Sequence, residues 1–156
     1  MKLLTPSEVS LRLKSSWSEN ALPCSEIVAG GERTGQAITG EVLEASVQWK
    51  DCCLLFVTDG IPFEDSLRIY LFDAHWKLLD SAQLGAMYAT GAFSDLALAP
   101  PNDVRFRFMG GITWKLELLD RAIVSLPFSD PKGVSRPVGL RKRFKLHGRP
   151  LPETGR

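Results

Sequence analysis

The amino-acid sequence predicts a mainly β protein, an antiparallel sandwich or open barrel of about seven or eight strands with one short N-terminal helix. Runs of alternating apolar and polar residues recur between Ala37 and Phe128, and turn residues separate these runs. The chain has 156 residues, of which 44% are hydrophobic and 24% charged, as is typical of one globular domain. We therefore expect a single β-rich domain over residues 1–131 and an irregular, basic, proline-containing tail over residues 132–156.

The first element has the sequence of a short helix. Residues 5–8 combine a capping threonine, a proline at the first helical position and a glutamate three residues after the cap. Val9, Leu13 and Trp17 recur every four residues and would form one apolar stripe. We predict a helix near residues 6–17 that packs Trp17 onto a sheet. A loop or linker is expected over residues 18–36, which are rich in Gly, Ser, Pro and charge.

Two strands follow, joined by a two-residue loop at residues 50–51. The face of the first strand is formed by Leu43, Ala45, Val47 and Trp49. The second strand, from Cys52 to Val57, is apolar on both faces, so we expect other elements to cover both of its sides. The helix that carries Trp17 is one candidate cover. The register that joins apolar residues is Trp49 opposite Cys52, Val47 opposite Leu54 and Ala45 opposite Phe56.

A glycine-containing hairpin is predicted between residues 103 and 117, after a hairpin over residues 67–84 and before a last strand at residues 122–128. A three-residue loop over residues 109–111 is expected, with glycine at positive φ. This loop length pairs Phe108 with Ile112, Phe106 with Trp114 and Val104 with Leu116. The same register places Arg105 opposite Lys115 on the outer face, a repulsion of a few tenths of a kcal/mol.

The charge of the chain is divided between its two parts. Residues 1–131 contain 11 basic and 17 acidic residues, whereas residues 132–156 contain 8 basic residues and one acid. The candidate anion-binding residues of the tail are Arg136, Arg141, Lys142, Arg143, Lys145 and Arg149. Phe144, among them, is a candidate for stacking on an exposed base. The alternative, which the sequence supports equally well, is that the tail is solvated or packs against the acidic residues 1–131 of the same chain.

Two candidate partner-binding surfaces precede the tail. Trp76 and His75 lie in the loop at residues 73–76, and a loop tryptophan is a common anchor in protein interfaces, although it can also fold over its own hairpin. Arg105, Arg107 and Lys115 form the outer face of the glycine hairpin. This face is either part of one positive surface with the tail or the polar side of an ordinary antiparallel sheet.

Signatures of catalysis, cofactors and metals are missing from the sequence. There is no nucleophile elbow, metal-binding histidine pair or dinucleotide fingerprint, and acids at the predicted turns, such as Asp59 and Asp73, are expected to accept local backbone hydrogen bonds. Cys24, Cys52 and Cys53 are expected to be small buried hydrophobes. No apolar run approaches the roughly 20 residues of a membrane span, and the N-terminal residues lack a secretion signal, so a cytoplasmic location is expected.

Three functions remain open. The first is a non-enzymatic protein-interaction module, such as an adaptor, inhibitor or immunity-type protein. The second is binding of nucleic acid or another anionic surface through the basic tail. The third is a β barrel that holds a small ligand in its interior.

Overall fold

Thirteen strands, and no helix, are found in the part of the chain that the computed structural model describes, which is residues 1–61, 65–85, 91–126, 129–137 and 141–148. The strands are β1 (Lys2–Leu3), β2 (Val9–Ser15), β3 (Cys24–Ala29), β4 (Glu32–Thr39), β5 (Val42–Trp49), β6 (Cys52–Thr58), β7 (Leu67–Phe72), β8 (Leu78–Leu84), β9 (Ser94–Ala99), β10 (Asp103–Arg107), β11 (Thr113–Val124), β12 (Val134–Ser135) and β13 (Arg141–His147).

The strands form three antiparallel sheets in a sandwich-like arrangement. A six-stranded sheet has the order β1-β5-β6-β7-β8-β12, a four-stranded sheet the order β13-β11-β10-β9, and a three-stranded sheet the order β2-β3-β4. Among the described strands, each sheet is open, with an edge strand at either end. The mainly β, antiparallel fold that the sequence predicts is therefore confirmed, but there are more strands than expected, because segments at both ends of the chain are extended.

The larger core lies between the six-stranded and the four-stranded sheets. Its fully buried members include Leu54, Phe56, Ile69, Phe106, Trp114 and Phe144. The rings of Phe56 and Phe106 are in contact, with centroids 5.2 Å apart. This layer therefore joins strands from the middle of the chain to β13, near its C-terminal end.

A second core lies on the other face of the six-stranded sheet. Val9, Ile27 and Ile38 of the three-stranded sheet pack there against side chains such as Leu55 and Phe72. Since Leu54 and Phe56 point into the larger core, β6 is covered on both faces, as its sequence predicts. The cover on this side is the three-stranded sheet and not a helix with Trp17, whose side chain is 51% exposed.

The expected N-terminal helix is absent from the described structure. One half of the expected capping box is present, because the Thr5 N–H donates to Glu8 Oε1 at 3.2 Å, and the Val9 N–H closes a turn by donating to the Thr5 carbonyl at 3.0 Å. The chain then continues as β2, paired with β3. Val9 and Leu11 also have the two-residue period of a strand, and a short helix is marginal without tertiary support, so sheet pairing determines the outcome.

The expected linker over residues 18–36 is largely sheet as well. β3 and β4 pair as a hairpin whose turn is Gly30-Gly31, with φ values of 59° and 82°. Two successive residues at positive φ are the requirement of a tight hairpin turn, and glycine meets it without a steric penalty. The glycine pair is therefore a turn and not part of a flexible connection.

The registers predicted for both central hairpins are confirmed. Trp49 pairs with Cys52 and Val47 with Leu54, while Phe106 pairs with Trp114. One prediction on β5 is wrong: the register of β5 against β6 shifts between Leu43 and Ala45, so Leu43 packs into the second core and not beside Ala45. A bulge turns the strand at that point, because one extra residue exchanges its two faces.

The basic tail differs from the irregular chain expected. Residues 134–135 form β12 and residues 141–147 form β13, which pairs with β11. Phe144 and Leu146 of β13 are buried in the larger core. Burial of these two apolar side chains, spaced two residues apart, is what favours a strand in this otherwise basic stretch.

Over the ranges that the structure describes, the chain has no helix of a length and apolarity that would let it span a membrane.

Candidate functional site

β13 brings the basic tail beside the glycine hairpin. Lys115 has Arg105 as its neighbour on β10 and His147 as its neighbour on β13. These three residues, which we call the basic row, lie side by side across three strands at spacings of about 5 Å. They point to the outer face of the four-stranded sheet, since the alternate residues Phe106 and Trp114 point into the core. The two basic segments of the sequence thus share one face.

Charges of both signs surround the basic row. Arg107, two residues after Arg105 on β10, is exposed. Lys145 of β13 lies opposite Glu117 of β11. Glu117 Oε1 is 3.2 Å from His147 Nε2, and Asp103 is the neighbour of Glu117 on β10. The face is therefore a mixed pattern with an excess of positive charge and not a uniform basic field.

A cleft of about 890 Å³ adjoins this face and is called here the basic cleft. It is lined by Ser129–Lys132 on one side and by Lys142 and Lys145–Gly148 on the other. β13 is an edge strand of the described sheet, and the cleft is lined by residues from both of its faces, so the cleft follows the edge of β13 that faces away from β11. His147 and Lys145 belong to both the cleft and the sheet face, so the two form one continuous basic surface.

Lys142 is the most unusual side chain of the basic cleft. It is only 6% exposed, and its one hydrogen-bond partner in the described residues is Ser129 Oγ, 3.4 Å from Nζ. No carboxylate of the described residues lies within 4.0 Å of Nζ, and the nearby Asp130 is paired with Arg136 at 3.0 Å. Because Lys142 also lines the cleft, an anion bound there would be placed to pair with its ammonium group.

The guanidinium of Arg136 is largely buried and is held by three internal partners in the described structure. Its guanidinium donates to Asp80 Oδ2 at 2.8 Å, to Asp130 Oδ2 at 3.0 Å and to the Phe144 carbonyl at 2.7 Å. Asp80 Oδ2 also accepts the Arg143 N–H at 2.8 Å. With 9% of its side chain exposed, Arg136 is an internal clamp that joins β8 to β13, and these contacts do not favour its predicted role in anion binding.

The other tail residues are distributed differently. Arg141 is exposed at the start of β13, and Arg143 is half-buried with its Nε donating to the Leu119 carbonyl at 3.1 Å. Arg149 lies outside the described residues. Phe144 is fully buried beneath the Arg136 guanidinium, which lies 4.7 Å from the ring centroid, so it is not placed to stack on a base.

Trp76 and His75 lie away from the basic surface. Trp76 is half-buried and packs on Phe72, with ring centroids 5.7 Å apart, at the margin of the second core. The turn is held by Asp73, whose Oδ1 accepts the His75 N–H at 2.8 Å and the Lys77 N–H at 2.9 Å. The second core and the outer face of the four-stranded sheet are on opposite sides of the larger core. The five predicted partner-binding residues therefore do not form one surface.

The buried titratable groups Cys53 and Asp59 are accounted for by burial and by an internal ion pair, respectively. Burial raises the pKa of the Cys53 thiol to about 12, so this thiol is protonated and unreactive at neutral pH. The Asp59 carboxylate pairs with Arg68 at 3.0 Å, and its backbone N–H donates to Asp65 Oδ1 at 2.8 Å. The described residues contain no group of three or more His, Cys, Asp or Glu side chains arranged to hold a metal ion.

Sequence reasoning identified the basic residues but missed the cleft that they line. The signal available was the spacing of Phe144 and Leu146, which indicates a strand with one apolar face. The burial of Lys142 left no such signal, because its cause is the distant segment around Ser129 and the pairing of β13 with β11.

In comparisons with known proteins, no family model, curated protein or solved structure matches the chain. The basic surface is therefore the feature of the molecule that bears on its function.

Proposed function

We propose that this protein is a non-enzymatic interaction module that binds an acidic segment of a partner protein at the basic cleft. The observation that carries the proposal is the convergence of Lys132, Lys142 and Lys145 around one cleft, two of them on the edge strand β13. Carboxylate side chains are the complementary groups, and the contact would be screened by salt.

The basic row supports the proposal from the adjoining face. Arg105 and Lys115 are direct cross-strand neighbours, and like charges in such positions destabilise a sheet. An acidic partner surface lying across the row would replace this repulsion by attraction.

A protein partner is favoured over nucleic acid by two features. Phe144, the aromatic residue of the tail, is buried and offers no stacking surface. Asp103 and Glu117 interrupt the positive charge of the outer face, which suits a partner with charges of both signs better than a phosphate backbone. Small-ligand binding inside a barrel is not favoured, because the three described sheets are open and large apolar side chains fill the larger core.

The test is a fluorescence-anisotropy titration of the full chain with a labelled peptide of alternating Glu and Ser. Binding should weaken about tenfold between about 50 mM and about 200 mM salt. The double variant Lys132→Glu/Lys145→Glu should lose at least about tenfold in affinity, since it reverses two charges of the cleft. The matched control is Lys14→Glu/Lys77→Glu, which changes net charge equally at two exposed positions away from the cleft and should bind as the wild type does.

Two results would contradict the proposal. One is equal weakening in the cleft variant and the control, which would mean that only net charge matters. The other is preferential binding of a single-stranded oligonucleotide of equal length over the acidic peptide, which would assign the surface to nucleic acid.

A further inference from the structure

We propose that the acidic partner segment binds as an added strand along the free edge of β13, with one carboxylate against Lys142. This inference rests on the proposed function and specifies its geometry. It follows from the register of β13, the burial of Lys142 and the shape of the basic cleft.

The register shows which backbone groups of β13 point to the free edge. The Phe144 N–H donates to Asp80 Oδ2 at 3.3 Å and its carbonyl accepts from Arg136, so both groups of Phe144 point away from β11. In an antiparallel pair the direction alternates with each residue, and β13 pairs with β11 without interruption from Phe144 to His147. The N–H and carbonyl of Leu146 therefore also point to the free edge, and Leu146 lines the basic cleft.

The internal clamp ends before the cleft begins. Asp80 and Arg136 occupy the edge at Phe144, whereas no side-chain hydrogen bond within the described residues reaches the edge groups of Leu146. Backbone groups of an exposed edge are a template for a further strand, and addition of an extended peptide is a recurrent mode of recognition. The partner would thus continue the four-stranded sheet beyond β13.

Charge selects the added strand. Lys142 at the bulged end of β13 has only the Ser129 hydroxyl as a partner in the described structure, and Lys132 faces the same cleft from the opposite wall. A carboxylate on the added strand would supply a countercharge to Lys142, which has no carboxylate partner among the described residues. Beyond the clamp, residues 145–148 line the cleft without interruption, which corresponds to about 13 Å of strand, or about four residues, and the Lys142 side chain reaches the same cleft.

The test uses three acidic peptides of identical charge: an unmodified one, one N-methylated at its odd amides and one N-methylated at its even amides. N-methylation removes the donor that a strand presents to its neighbour, and only alternate amides face one neighbour. One methylated peptide should bind at least about tenfold more weakly than the unmodified peptide, and the other should retain its affinity. On binding, hydrogen exchange of the Leu146 amide should slow, as measured by NMR.

A second variant examines the carboxylate contact. Lys142→Met retains the apolar stem and removes the charge, so the folded sheet is preserved while affinity falls about tenfold. Lys77→Met, in the exposed turn after β7, is the matched control and should bind normally.

The outcomes separate the two proposals. If both methylated peptides bind as the unmodified one does, or both lose affinity equally, strand addition is refuted while binding of acidic segments stands. Unchanged affinity in Lys142→Met refutes the carboxylate contact. If the unmodified acidic peptide does not bind the wild-type chain at low salt, the proposed function fails, and strand addition fails with it.

Discussion

The guanidinium of Arg136 is the centre of a buried ionic cluster, and its removal should be among the most destabilising single changes in the protein. In Arg136→Met the Asp80 carboxylate, 7% exposed, keeps the N–H groups of Arg143 and Phe144 but loses its countercharge. Breaking a buried ion pair by removing one partner costs about 3–5 kcal/mol. The Phe144 carbonyl loses a donor in addition. We therefore expect the free energy of unfolding to fall by about 3–5 kcal/mol.

The assay is equilibrium unfolding in urea. The m value of the variant should equal that of the wild type, which shows that both expose the same surface area on unfolding. The matched control is Asp120→Asn, which breaks the exposed pair between Lys50 and Asp120, with side chains 58% and 68% exposed, and should change stability by no more than about 1 kcal/mol. A loss below about 1 kcal/mol in Arg136→Met would refute the reasoning, because it would mean that water reaches the cluster in the folded protein.

Three further predictions concern the two cores. The Cys53 thiol, with its pKa raised to about 12 by burial, should not react with a thiol reagent at pH 8 in the native protein and should react fully in denaturant; native labelling would contradict its burial. Glu26 has a pKa below its ordinary value of 4.5 because Arg33 donates to it. Its contribution to stability is therefore present above pH 4.5 and is lost as the pH falls through the folded-state pKa. In acid unfolding, Glu26→Gln should lack the loss of stability that the wild type shows over this pH range. Phe106→Ala should cost about 3–5 kcal/mol in urea unfolding, because the ring is fully buried opposite Trp114.

Local pattern was sufficient where a strand and its neighbour are adjacent in sequence. The pairing of Trp49 with Cys52 and of Phe106 with Trp114 follows from matching apolar faces across a short turn, since a slip of one residue would expose the whole face. The bulge next to Leu43 could not be predicted in this way, because one inserted residue leaves no mark in the composition of the strand.

Competing periods explain the main error in the fold. Val9 and Trp17 fit a helix, while Val9 and Leu11 fit a strand, and the sequence alone does not weigh the two patterns. The deciding interactions are with β3 and with the second core, which are formed by residues distant in the chain. Capping contacts at Thr5 contribute too little to maintain a helix against them.

The candidate site was predicted in its residue types but not in its shape. A run of basic residues is typical of a solvated tail unless its apolar residues are buried in a core. In β13 the apolar residues that are buried are Phe144 and Leu146. The distinction between the anchored Arg136 and the cleft-lining Lys145 depends on Asp80, which is distant in sequence from both. A local sequence pattern does not predict which residues distant in the chain form such ion pairs.

The pairing of β13 with β11 is the claim on which the basic surface depends, and NMR tests it most directly. Leu118 with Phe144, and Leu116 with Leu146, are the pairs whose α-carbons approach to about 4.5 Å, because the edge-facing groups of Phe144 identify them as non-hydrogen-bonded pairs. We predict a strong cross-strand nuclear Overhauser effect between the α-protons of each pair. Random-coil chemical shifts over residues 141–147, with no contact between these protons, would contradict the account.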